Sequence, residues 1–143
     1  MAIKSLNAYI NFNGTAAKAI ALYERVLGAR TLSVSRAGDT PGVDAPVDQR
    51  DRIVHGVLLL GGTQLMVSDA ASNLTTGGNV HVSIDFTDVA DMTEKFTALA
   101  EGGAVTVPLQ DTFWGAKFGM LIDPFGVRWM FNCAVSASRV ASN

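Results

Sequence analysis

The sequence predicts an α+β fold of two βαβββ modules forming an eight-stranded cleft. Three observations carry this expectation. The order strand, helix, strand, strand, strand reads twice along the chain. Each of two amphipathic helical stripes ends at a glycine. Landmarks also recur at one spacing: Phe12 and Phe86 lie 74 residues apart, as do Gly28 and Gly102. A repeated unit that cannot cover its own apolar face is expected to pack against its copy.

The elements follow in order. Strand 5–12 alternates Leu6, Ala8, Ile10 and Phe12 with Asn7, Tyr9 and Asn11, the period of a strand with one apolar face. Helix 15–27 carries the stripe Ala16, Ala19, Ile20, Tyr23, Val26 and Leu27, and closes at Gly28. Strand 30–37, a long loop 38–51, and strands 52–60 and 63–68 complete the first module. A Gly/Ser/Thr/Asn-rich loop at 69–79 precedes strand 80–86, where Val80, Val82, Ile84 and Phe86 alternate with His81, Ser83 and Asp85. Helix 88–101 starts at Asp88, a suitable N-cap, and carries Val89, Met92, Phe96 and Leu99 ahead of Gly102. Strands 104–109, 117–122 and 127–133 close the second module. The chain thus reads as a single domain over 1–143, with module one at 1–69, a linker at 70–79, module two at 80–134 and a tail at 135–143.

Composition narrows the function classes. Of 143 residues, 48% are hydrophobic and 17% charged, enough for a real core and unlike a disordered chain. The net charge is −2, with acids and bases scattered singly. No basic patch forms, so nucleic acid is not the expected partner. The longest apolar run, Ile53 to Leu60, is broken by His55 and falls far short of a membrane span. The first residues enter a strand pattern without a secretory leader, and the single cysteine, Cys133, cannot form an internal disulfide. A cytoplasmic location is therefore expected, with Cys133 a small buried hydrophobe.

Two equivalent strands present polar side chains on the same side. The 74-residue step maps Asn7 to His81, Tyr9 to Ser83 and Asn11 to Asp85. This pattern suits a small-molecule site, with Asn7, Tyr9, Ser83 and Asp85 as ligand contacts and His81 as acid–base candidate. The segment QDTFWGAKFGMLIDPFGVRWMFNC at 110–133 is too apolar for a surface loop and too rich in glycine for a helix. Trp114 and Phe118 there are candidates to line a pocket, and Asp123 reads as the first residue of a turn. His55 shares its alternation with Ile53, Val57 and Leu59, and reads as a packed histidine. Neither Gly61-Gly62 nor Gly77-Gly78 forms a nucleotide-binding glycine motif.

The run YINFNGTAAKAIALYERVLGA at 9–29 resembles the opening of glyoxalase/bleomycin-resistance proteins, the vicinal oxygen chelate superfamily. The runs LGGTQLMVSD (60–69), GGNVHVSIDFTDV (77–89) and LQDTFWGAKFGMLIDPFGVRWMFNC (109–133) are similar to its PhnB-like branch. The resemblance spans about residues 5–134. It implies paired βαβββ modules, an eight-stranded cleft and a homodimer. In catalytic members it also implies a divalent metal held at four positions, one on the first and one on the last strand of each module. Those positions here are Asn7 (Ala8 if the register slips by one), Met66, His81 and Met130.

Only His81 suits a hard or borderline divalent ion; thioethers are soft and neutral. No metal and no cofactor is therefore expected, and Met66 and Met130 become ligand-contacting candidates, as adaptable methionines in a pocket wall. The resulting expectation is a protein that binds a small molecule in its cleft without the usual catalytic metal. The alternative is an enzyme, a glyoxalase-type lyase or isomerase or a dioxygenase, using His81 as base or in an unusual metal site. The ubiquinone-methyltransferase association of some relatives finds no support, because no glycine-rich strand-to-helix turn or parallel α/β pattern is present.

Overall fold

Alternation of apolar and polar side chains sets the strands, and two 3.6-period stripes set the helices. The computed structural model describes residues 2–70 and 74–135. Module one contains β1 (Ala8–Phe12), α1 (Ala16–Leu27), β2 (Arg30–Arg36), β3 (Ile53–Leu60) and β4 (Thr63–Asp69). Module two contains β5 (Val82–Phe86), α2 (Val89–Ala100), β6 (Ala104–Asp111), β7 (Ala116–Ile122) and β8 (Arg128–Ala134). The two sheets run β1-β4-β3-β2 and β5-β8-β7-β6. In each, the strand before the helix pairs in parallel with the last strand, and the remaining pairs are antiparallel. The expected α+β fold of two βαβββ modules is the one found. Contacts divide the chain between Thr75 and Thr76, inside the expected linker. Residues 71–73 of that linker and 136–143 of the expected tail lie outside the described residues.

Several element boundaries differ from expectation for physical reasons. The expected strands 5–12 and 80–86 begin only at Ala8 and Val82. Their apolar alternation continues upstream, but Leu6 and Val80 are exposed. β6 runs past 109 to Asp111 because it pairs with β7 up to Asp111↔Lys117, leaving only a tight turn at 112–115. The long loop expected at 38–51 begins one residue earlier, at Ala37; it holds two short 3-10 turns, Ala37–Asp39 and Val47–Gln49, and folds back on the strand ends through Ala37 N–H to Arg52 O and Gly38 N–H to Arg50 O.

Each helix packs its stripe on one face of its own sheet. Ala16, Ala19, Ile20, Leu22, Tyr23 and Val26 of α1 are buried, as are Met92, Phe96 and Leu99 of α2. Gly28 ends α1 at φ 71°, a left-handed conformation that favours glycine, with its N–H on the Tyr23 carbonyl. The starts of the helices are fixed differently. Thr15 makes no side-chain cap bond; instead buried Asp69, at the end of β4, accepts from Ala16 N–H at 2.9 Å and from Ile53 N–H at 3.0 Å. In α2 the expected local cap forms, Asp88 accepting from Asp91 N–H at 3.0 Å.

Space for a side chain on the helix-covered face is lacking at one equivalent position in each module, against a neighbouring strand in the first and against the helix in the second. A methyl group at Gly56 on β3 would lie 2.9 Å from Val67, and one at Gly119 on β7 would lie 2.9 Å from Phe96. The first pairs with Val67 and the second with Phe131, both buried residues on the helix face. In the last turn, buried Asp123 accepts from Phe125 N–H, Val127 N–H and the Trp129 indole N–H at 2.9–3.1 Å. The expected turn residue is thus also the anchor of the most deeply placed tryptophan.

Candidate functional site

With one face of each sheet covered by its helix, the chemistry-bearing side chains gather on the opposite face. In module one, pairing sets Tyr9 beside Met66 and Met66 beside Val57. The Tyr9 hydroxyl lies 3.2 Å from His55 Nδ1, with ring centroids 5.7 Å apart. One step along, Ser68 Oγ donates to Asn11 Oδ1 at 2.6 Å. In module two, Ser83 sits beside Met130 and Met130 beside Met120, while Asp85 sits beside Asn132 and Asn132 beside Phe118. The Asn132 amide donates to Asp85 Oδ1 at 3.2 Å, and the Trp114 ring lies 6.0 Å from Phe118. The same plan recurs in both modules: a methionine on the last strand, flanked by a hydrogen-bonded polar pair.

Of the residues expected from sequence, the structure brings Tyr9 and Met66 together in module one. It brings Ser83, Asp85, Trp114, Phe118 and Met130 together in module two. Asn7 and His81 occupy equivalent places, each one residue ahead of its strand. The exposed Asn7 amide turns to Ser5 Oγ at 3.1 Å. His81 is half-buried and has no hydrogen-bond partner among the described residues. The strand register, continued one step past Val82↔Trp129, sets it against Arg128.

His55 departs from the sequence expectation. Ser35 pairs with His55 but Arg36 pairs with Ile53, so Val54 is an extra residue and β3 carries a bulge. The bulge leaves Ile53 1% exposed and amide-bonded to Asp69, and turns His55 with Val57 and Leu59 to the helix-free face. His55, Asn11, Ser68 and Asn132 therefore join the candidate set. Strict alternation through 53–59 hid His55, and Tyr9 lies 46 residues from it.

The donor set does not fit the divalent metal that the resemblance implies. The four carried-over positions offer one imidazole, one amide and two thioethers, whereas hard and borderline ions need several imidazole or carboxylate ligands. Among the described residues no three His, Cys, Asp or Glu side chains gather in a way that could hold an ion. Two hollows of about 570 and 530 Å³ lie beside α1, and both are lined by Ala17 and Arg36. Their walls mix Glu24, Arg36 and Asp39 in one with Lys18, Asp48, Asp51 and Arg52 in the other. Mixed charge around an open hollow is unlike an apolar wall with a few oriented polar groups.

A family model described as Glyoxalase/Bleomycin resistance protein/Dioxygenase superfamily matches residues 5–131. Protein YjdN of Escherichia coli (strain K12) is 31% identical over 137 residues, covering 89% of this chain and 93% of that protein. The crystal structure of protein PA1353 from Pseudomonas aeruginosa superposes with a TM-score of 0.82 at 38% identity, covering 92% of this chain and 98% of that one. A Bacillus cereus PhnB protein, described as a putative 3-demethylubiquinone-9 3-methyltransferase, superposes with a TM-score of 0.76 at 25% identity, covering 92% of this chain and all of that one.

Proposed function

The chain belongs to the Glyoxalase/Bleomycin resistance protein/Dioxygenase superfamily, and on that premise we propose that it is a PhnB-like protein that binds a small organic molecule against the helix-free faces of its sheets. In this reading it works without the divalent metal of the family's catalytic members, acts as a homodimer and resides in the cytoplasm. One observation carries the proposal. Both modules place a methionine, Met66 or Met130, beside a hydrogen-bonded polar pair, Asn11–Ser68 or Asp85–Asn132, on the face that no helix of the module covers. Adaptable thioethers and aromatic walls with a few oriented polar groups are the make-up of small-molecule sites. Tyr9, Trp114 and Phe118 supply the aromatic part.

Native mass spectrometry of the purified protein against a broad metabolite set tests this. A specific ligand whose retention falls in Met130→Lys and Trp114→Ala supports the proposal; no retained ligand sinks it. The methyltransferase description of the Bacillus cereus neighbour is not carried over. Each sheet here is mixed, with one parallel pair, and offers no parallel α/β crevice for S-adenosylmethionine. Among the described residues no helix is long and apolar enough to cross a membrane.

A second reading, an enzyme of the lyase, isomerase or dioxygenase type with His81 as base, draws on the absence of a protein partner for that ring among the described residues. Free imidazole nitrogens suit proton transfer. Metal analysis of untagged protein separates the readings: stoichiometric Fe, Mn, Ni or Zn lost in His81→Ala would favour the metalloenzyme.

A further inference from the structure

The hydrogen bond between Tyr9 on β1 and His55 on β3 spans the intervening strand β4. Neighbouring strands lie about 4.8 Å apart, so the phenol ring is used at nearly its full reach. Tyr9 is 45% exposed, and neither side chain belongs to the helix-facing core. Core packing therefore does not explain their pairing.

A phenol is the better donor of the two, since its oxygen lone pair is partly delocalised into the ring. A neutral imidazole nitrogen, with its lone pair in the ring plane, is the better acceptor. Tyr9 therefore donates to Nδ1, and the imidazole proton sits on Nε2, directed away from Tyr9. Among the described residues His55 has no other hydrogen-bond partner, so that Nε2–H is unfilled. Asn11 adds to it. Its Oδ1 is taken by Ser68, which fixes the amide and leaves Nδ2 as a donor without a partner among the described residues. Among the described residues no carboxylate stands on this side of β1, β4 or β3, whereas the equivalent face of module two carries Asp85.

We infer that Tyr9 holds His55 as the Nε2–H tautomer, and that this N–H, together with the Asn11 amide, binds an anionic carboxylate or enolate oxygen of the ligand, whose apolar part lies over Val57 and Met66. The inference rests on the helix-free face being a ligand site, and it adds the ligand's chemical class and the residues that read it.

The chain has two histidines, so ¹⁵N-edited imidazole spectra of the intact protein contain two ring systems, assigned with His81→Gln. The expected result is a His55 ring in the Nε2–H tautomer, relaxing toward a mixture in Tyr9→Phe. Benzoate, a carboxylate with an apolar body, is the binding probe. It is expected to shift the His55 ring signals saturably; His55→Gln is expected to weaken it about tenfold, the loss of one good hydrogen bond, and Tyr9→Phe to weaken it by a smaller factor, because the freed ring divides between two tautomers. An Nδ1–H tautomer, a His55 ring unmoved by benzoate, or benzoate affinity unchanged in both variants would overturn the inference. Should Tyr9→Phe fold poorly, the wild-type tautomer and the His55→Gln affinity still decide. The metabolite screen judges the wider reading separately, because a metabolite that binds while His55 stays unmoved sinks the donor pair alone.

Discussion

The first turn of α1 has N–H groups that no residue just before it satisfies, and Asp69 meets that need from 53 residues away. Its second oxygen holds the first amide of β3, so one buried carboxylate fixes the start of a helix and of a strand. Removing it strands two buried donors, whereas removing Asp88 costs only an exposed local cap. Asp69→Ala is therefore expected to destabilise by about 3 kcal/mol and Asp88→Ala by about 1 kcal/mol, measured by urea unfolding. Equal losses would show that the Asp69 bonds are not formed in solution. The Asp88 cap was legible because cap and amide are three residues apart. Asp69 reads from sequence as the first residue of the loop 69–79, and nothing local marks it as a cap. Cys133 fills the equivalent place in module two, paired with Phe86 as Asp69 pairs with Phe12. At 1% exposure its thiol is expected to resist a disulfide-exchange reagent in the folded protein and to react only on opening. Rapid stoichiometric labelling without unfolding would contradict its burial.

At the scale of elements, the helix stripes and the glycines that follow the two helices were read correctly from period and composition. Strand ends were not, because alternation says which face a residue takes but not where a partner strand stops. The bulge at Val54 illustrates the cost: one extra residue moves Ile53 into the core and His55 to the opposite face. Close approach of backbone is equally invisible in sequence. A methyl group at Gly103 would lie 2.0 Å from the Ile122 carbonyl oxygen, so β6 cannot enter beside β7 without a backbone shift. Gly103→Ala is expected to cost about 2–3 kcal/mol. Gly119→Ala meets the edge of the Phe96 ring, a movable side chain, and is expected to cost about 1 kcal/mol. Thermal unfolding of the pair checks the order; a harmless Gly103→Ala would rule out the close contact.

For the molecule as a whole, the two modules share topology, the position of a close-approach glycine and the methionine with its polar pair, while their capping chemistry differs. The poor donor set at the family's metal positions makes a prediction at this scale. Ligands that bind only the folded state raise its stability, so a structural or catalytic ion would reveal itself on removal. Exhaustive chelation is expected to leave the melting temperature unchanged, and a clear fall would point to a metal held by groups other than those considered. The sequence by itself determined the fold class, the repeat, the helix faces and the side of β1 and of β5 that carries polar groups. These depend on periods of 3.6 and 2, which are properties of neighbouring residues. Only the tertiary structure decided that Tyr9 meets His55, that Asn11 meets Ser68 and that Asp69 reaches Ala16. Those contacts depend on strand register and on one bulge, set by packing between segments some 40 to 60 residues apart.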